Sequence, residues 1–250
     1  MMVEWPSAEQ WLAPSWHPHP AVRVLVTTRA GNVSPAPWGG FNLGLNCNDD
    51  PQRVLRARDH LRQSLKLTEI HWLQQVHGIA VVESSATQRE ADGVIARVPG
   101  EAAAVLTADC LPVLLADEQG TVVAALHAGW RGLVAGIIEQ GVAQLGVPVG
   151  TVHAWLGPAI SQRNYQVDDR VREACLAQSP ECAPAFIADG IGHWRFSLVQ
   201  AATTQLQRLG VASVAGGNDR TFDDPRFSSF RRDSLTGRFA SLIWLEKPDS

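Results

Sequence analysis

The stretch AAAVLTADCLPVLLADEQGTVVAALHAGWRG, residues 102–132, decides how this chain is read. Its two apolar runs are rich in strand formers, and each delivers a chemically active side chain at an end. One run stops at Thr107-Ala108-Asp109-Cys110, the other at His127-Ala128-Gly129-Trp130-Arg131-Gly132. Upstream, HWLQQVHG (71–78) places His77 after another short strand-like run. A thiol and two imidazoles at strand ends suit two chemistries: a three-ligand metal site or a Cys/His nucleophile pair.

Outward from this stretch, the pattern predicts a strand over 22–28, a Gly/Pro/Asn loop over 30–50 and a helix over 51–66 opened by Pro51 after Asp50. Short strands are expected at 70–75, 79–83, 93–97, 103–107, 112–117 and 121–127. A helix over 131–145, a strand over 151–156, helices over 168–178 and 197–208 and a closing strand Phe239–Leu245 complete the reading. Strands cluster in the middle and helices fall irregularly, which favours an α+β fold over strict alternation around a parallel sheet.

Composition bounds the function. The chain has 250 residues, 45% hydrophobic and 18% charged, enough to bury a sizeable core. A net charge of −4 argues against bulk nucleic-acid binding. The cations are nearly all arginine, with only Lys66 and Lys247 as lysines. Four cysteines without a CxxC pair suit a reduced, cytoplasmic protein. The N-terminus lacks the apolar core of a signal peptide, and no run nears 18 apolar residues, so no membrane span is expected.

Taken singly, the three residues have ordinary structural readings: Cys110 as a small core hydrophobe, His127 as a hydrogen-bonded core histidine, His77 as a turn residue before Gly78. Their joint placement favours function. Asp109 strengthens it, because an acid ending an apolar strand must reach solvent or a partner. HAGWRGL passes from strand to helix through two glycines, and a helix start with Arg131 beside it is a natural anion site. No P-loop and no GxGxxG is present. Val54, Arg58, Leu61 and Leu65 share a helix face, so Arg58 should find an acid, a carbonyl or a substrate anion.

QQVHG, ADGV, LTADCLPVLLAD and VAALHAGWRG together resemble the YfiH-type family, whose members are called laccase-domain protein, polyphenol oxidase, purine nucleoside phosphorylase or peptidoglycan editing factor. FNLGLNCNDDPQRVLRARDHL resembles the family's Asn-Leu-Gly loop and following helix, and RFSSFRRDSLTGRFASLIWL its C-terminal block. There are departures: Asn48-Asp49 stands where the family has Gly-Asp, Ala57-Arg58 where it has Asn-Arg, and Arg220-Thr221 where it has Cys-Thr.

The resemblance implies a single domain over 1–250, built as a layered α/β sandwich with mixed sheets. It implies a zinc site from His77, Cys110 and His127, and substrate contacts from Asn42 in the Asn-Leu-Gly loop. The implied substrates are purine nucleosides and phosphate: adenosine deamination and phosphorolysis of adenosine, inosine, guanosine and methylthioadenosine, with a proposed role in editing cell-wall precursors. Arg58, Arg131 and the helix start would supply phosphate donors, and Asp109 is the candidate for proton transfer. A multicopper oxidase needs many more histidines than the two of a blue-copper centre, and this chain has eight in all, His17 and His19 lying in a Pro-rich stretch. Copper bound singly in vitro is compatible with the Cys/His set. Three alternatives stand beside the zinc enzyme: a Cys110-nucleophile hydrolase cleaving an amide of a cell-wall precursor, a copper-binding polyphenol oxidase, and a non-enzymatic binding protein.

Overall fold

The structure is a computed structural model and describes residues 3–247. Its strands are β1 (Val22–Val26), β2 (Glu69–His71), β3 (Val81–Glu83), β4 (Gly93–Ala96), β5 (Glu101–Thr107), β6 (Leu111–Asp117), β7 (Val123–Ala128), β8 (Val152–Leu156), β9 (Gln166–Asp168), β10 (Phe186–Ala188), β11 (His193–Phe196), β12 (Ser213–Gly216) and β13 (Phe239–Leu245). Its helices are α1 (Pro51–Ser64), α2 (Trp130–Ala135), α3 (Ile137–Gln144), α4 (Asp169–Gln178), α5 (Leu198–Leu209) and α6 (Phe230–Asp233).

The strands form a four-stranded sheet in the order β1-β13-β5-β2, a six-stranded sheet in the order β12-β8-β6-β7-β4-β3 and a small sheet β10-β11-β9. Val22, Val24, Ala103 and Val105 of the first sheet pack against Val94, Leu114, Val123 and Ala125 of the second. On the outer face of the four-stranded sheet, Ala102, Ala104 and Leu242 meet Ala57 and Leu61 of α1. On the far face of the six-stranded sheet, Val113, Leu115 and Leu126 meet Leu133, Ile138 and Leu206 of the remaining helices. The result is a four-layer α/β/β/α sandwich whose two large sheets are mixed, since β2–β5, β3–β4 and β12–β8 pair in parallel and the other contacts are antiparallel. Layering explains the unbroken apolar run in β6: with β7 and β8 at its edges and packed layers on both faces, all seven of its residues are buried.

Three expectations shift. The strand expected over 70–75 ends at His71, and Trp72 to Gln75 line a cavity, tied to the sheet region by an isolated bridge between Gln74 and Glu90. The helix expected over 131–145 breaks at Gly136, whose φ of 101° is left-handed and nearly free of cost only for glycine. Strands β9 to β12 and helix α6 lie in segments where no strand or helix was expected; all are only three or four residues long, too short to show a period.

Candidate metal centre

Strand register builds the site. Leu111 lies opposite Ala128 and Pro112 opposite His127, so Cys110, one residue before β6, meets His127 near the end of β7. Gly93 of β4 pairs with Leu126, which sets Asp92 beside His127. The His127 backbone N–H donates to the Asp92 carbonyl at 2.7 Å. The turn leading into β3, which runs parallel to β4, brings in His77.

His77 has a φ of 61°, a left-handed turn conformation that few non-glycine residues adopt. The fully buried Asp92 carboxylate holds that turn. It accepts from the backbone N–H groups of Val76 at 3.2 Å, His77 at 3.0 Å and Gly78 at 2.7 Å. It also lies 2.8 Å from His127 Nδ1. A carboxylate accepts, so Nδ1 carries the proton and Nε2 is the ring nitrogen left to face Cys110. Asp92 thus fixes the backbone of one imidazole and the tautomer of the other.

Cys110 Sγ lies 3.8 Å from His77 Nε2, and the two imidazole rings meet edge to face with centroids 4.7 Å apart. One ligand atom from each of the three residues falls within 4.8 Å of the other two. A tetrahedral divalent ion at ordinary bond lengths separates a sulfur and a nitrogen ligand by about 3.6 Å. The donor set therefore fits a metal ion with small adjustments and leaves a fourth position open. Burial alone would raise the Cys110 thiol, but the His127 cation and hydrogen bonds from both histidines outweigh it and bring it down to about 6. Burial alone would lower His127, yet the Cys110 thiolate and the Asp92 bond lift it to about 9. At neutral pH the sulfur is therefore the thiolate that ligation or nucleophilic attack requires.

Gly129 makes the approach possible. A Cβ there would sit 2.9 Å from His77 Cδ2 and 3.0 Å from Cys110 Sγ. Gly129→Ala is expected to push the two ligands apart and lower metal content by tenfold or more, on the order of what displaced supporting groups cost elsewhere. Metal analysis of the purified variant checks this; full occupancy with unchanged affinity would show that the ligands have room to spare.

The cluster opens into a cavity of about 690 Å³, within the ordinary range for small-molecule sites. Arg58, Trp72, Gln74, Thr107, Phe230 and Arg238 are on its wall together with His77, Cys110 and His127. The Arg58 guanidinium donates from Nε to the Leu43 carbonyl at 2.9 Å and stacks 4.4 Å above the Trp72 ring. Burial lowers it to about 10, so it stays charged at neutral pH. Arg238 donates to the Thr236 and Gly237 carbonyls. Neither guanidinium has a carboxylate in ion-pair range among the described residues.

Comparison with known proteins follows this geometry. A family described as multi-copper polyphenol oxidoreductase laccase matches residues 23–246. A Pseudomonas aeruginosa protein named purine nucleoside phosphorylase is 45% identical over 239 residues, covering 94% of this chain and 98% of that one. Escherichia coli YfiH, also named purine nucleoside phosphorylase, is 40% identical over 239 residues with the same coverage. The crystal structure of a Neisseria meningitidis protein, 40% identical, superposes with a TM-score of 0.91 over 95% of this chain and all of that one. YlmD from Geobacillus stearothermophilus, 26% identical, gives 0.87 over 98% and 99%. The chain belongs to the laccase-like YfiH family.

The family description names several coppers; the described residues of this YfiH-family chain bring together one candidate ligand group. Among the described residues, His77, Cys110 and His127 are the one group of three or more His, Cys, Asp or Glu side chains placed to hold an ion. No helix among the described residues is long and apolar enough to cross a membrane.

The other residues singled out in the sequence part ways. Arg58 reaches the cavity. Arg131 is exposed, stacks on Trp130 at 4.5 Å and is absent from the cavity wall, and its helix α2 has only six residues. Asp109 is turned away from the cavity: its carboxylate accepts from the Thr221 hydroxyl at 2.6 Å and the Arg231 backbone N–H at 2.7 Å. It ties the turn before Cys110 to the C-terminal block, which leaves Asp92 as the carboxylate against the cluster. Asn42 is fully buried and off the cavity wall. Its amide donates to the Gly44 carbonyl and Asp49, and its oxygen accepts from the N–H groups of Gly44 and Arg238. It braces the loop that carries the wall and the backbone that presents Arg238. Sequence reasoning missed Asp92 and Arg238 as functional candidates; the ADGV string and the Thr-Gly-Arg block were the signals that held them.

Proposed function

We propose that this chain is a zinc-dependent purine nucleoside phosphorylase, acting as one domain on adenosine, inosine, guanosine and methylthioadenosine and also deaminating adenosine. One observation carries the reading: two guanidiniums without carboxylate partners share a cavity wall with a His/Cys/His ligand set. Arg58, desolvated by burial, favours an anion, and the fork of donors on each arginine matches phosphate. The names of the 45% and 40% identical relatives point the same way. Zinc held by His77, Cys110 and His127 supplies a Lewis acid with an open position.

The chain's own groups do the rest. Arg58 and Arg238 hold phosphate and offset its charge. Trp72 and Phe230 offer ring faces to a purine; Phe230 is 56% exposed, open to a ligand. In phosphorolysis a phosphate oxygen bonds to ribose C1′ as the C1′–N9 bond breaks, and the purine leaves with the bonding pair and takes up a proton.

A screen of nucleosides with and without phosphate tests this, with phosphate-dependent release of free base expected. Turnover that ignores phosphate would overturn phosphorolysis, and no turnover would overturn the whole reading. Arg58→Ala is expected to cost about 2–4 kcal/mol in kcat/KM, typical of a charged contact at a reacting centre, while metal content stays unchanged. Normal kinetics on every active substrate would leave Arg58 a packing residue held by Trp72 and Leu43.

A second reading has its own observation. Cys110, His127 and Asp92 stand in the order of nucleophile, base and orienting acid. They would serve a thiol hydrolase cleaving an amide such as those of cell-wall precursors. Protein purified without added metal decides between the two: bound zinc supports the first, and amide cleavage that survives chelation supports the second.

A further inference from the structure

Thr107 ends β5 on the cavity wall, three residues before Cys110. Its side chain is 1% exposed, and its hydroxyl oxygen is buried with no hydrogen-bond partner among the described residues. Leaving a buried hydroxyl unpaired is costly, so such groups call for an explanation. Other buried polar atoms share this condition, Thr236 and Ser241 among them, but Thr107 alone lines the cavity. The neighbouring backbone is pinned: the Gln75 amide donates to the Leu106 carbonyl and accepts from the Leu106 N–H, both at 2.8 Å. The strand end that carries the hydroxyl is thus fixed beside the cavity.

Position says what it would meet. Thr107 pairs with Phe239, the residue after Arg238, so it stands between the Arg238 side of the cavity and the Cys110 side. On the phosphorylase reading, on which this inference rests, phosphate sits at the guanidiniums and the purine against the ring faces. The ribose joins them. A threonine hydroxyl both donates and accepts, as a sugar hydroxyl does. We infer that Thr107 is a specificity-determining residue whose hydroxyl hydrogen-bonds a ribose hydroxyl of the bound nucleoside, so that the cavity selects ribonucleosides over deoxy analogues. A site built to pair a substrate hydroxyl discriminates against the analogue lacking it, because its own buried group is then stranded.

The test is a cycle of two changes. kcat/KM is measured for adenosine, 2′-deoxyadenosine and 3′-deoxyadenosine with the native chain, Thr107→Val and Thr107→Ser. The native chain should prefer adenosine over one deoxy analogue by about tenfold or more, and that analogue identifies the contacted hydroxyl. Thr107→Val should lower kcat/KM for adenosine about tenfold, leave that analogue unchanged and so erase the preference. Thr107→Ser should restore it. Metal content should not change, and the melting temperature of ligand-free Thr107→Val should hold or rise, because the substitution removes an unpaired hydroxyl. An equal loss on all three substrates would overturn the ribose contact. A fall of several degrees in melting temperature would show that the hydroxyl serves the fold. If the native chain turns over none of the three nucleosides, the phosphorylase reading itself fails and takes this assignment with it.

Discussion

Cys110→Ala is expected to strip the bound metal and reduce turnover by more than about 100-fold, since even groups one shell further out cost roughly 10–100-fold in affinity or activity. The substitution removes the thiolate and leaves only two imidazoles from the ligand set. Cys110 lies in the turn before β6 and not inside a sheet, so the fold should survive. Metal analysis and circular dichroism on the same preparation check both halves. A variant that keeps its metal and its activity would end the three-ligand proposal. Loss of activity from a native protein that carries no metal would instead favour Cys110 as nucleophile.

Asp92→Asn should be the most damaging change outside the ligands. The carboxylate accepts from three consecutive backbone N–H groups and from His127. An amide replaces one accepting oxygen with a donor, and either orientation sets it against N–H groups already pointing inward. Breaking a buried pair by removing one partner costs about 3–5 kcal/mol, and an amide that retains one oxygen should fall at the lower end. Metal affinity should fall about 10–100-fold as His127 loses its preferred tautomer and His77 its turn. Denaturant unfolding and metal titration measure the two losses separately. A variant with native stability and native affinity would reduce Asp92 to a bystander.

The ligands were legible in the sequence because they stand at the ends of apolar runs that can only be interior strands, and hairpin pairing then brings Cys110 and His127 together. Their polar support was not legible. Asp92 is one acid in ADGV, and nothing local says that it faces three amides and an imidazole. Asp109 has the opposite history: its sequence position marks it as an acid in need of a partner, but that partner is Thr221, 112 residues away. Arg58 and Arg131 look alike as cations near apolar faces, and only packing separates the one held over Trp72 in the cavity from the one left outside. The α+β class was readable from clustered strands and the layered sandwich only through the family resemblance, whereas β12 was not readable, because an edge strand with no fully buried residue carries no apolar signal.

The last strand in sequence order among the described residues, β13, occupies an interior place, with β1 on one side and β5 on the other. Synthesis runs from the N-terminus, so β1 and β5 are made before β13. Until β13 follows, β1 and β5 present open edges, the kind that recruit foreign strands. Thr107, which β13 pairs through Phe239, and Arg238 just before that strand take up their positions only at the same moment. A nascent or prematurely terminated chain therefore offers quality-control machinery an unzipped sheet and no finished cavity. Chains cut short before Phe239 should yield degraded product in cells, not a partly working protein.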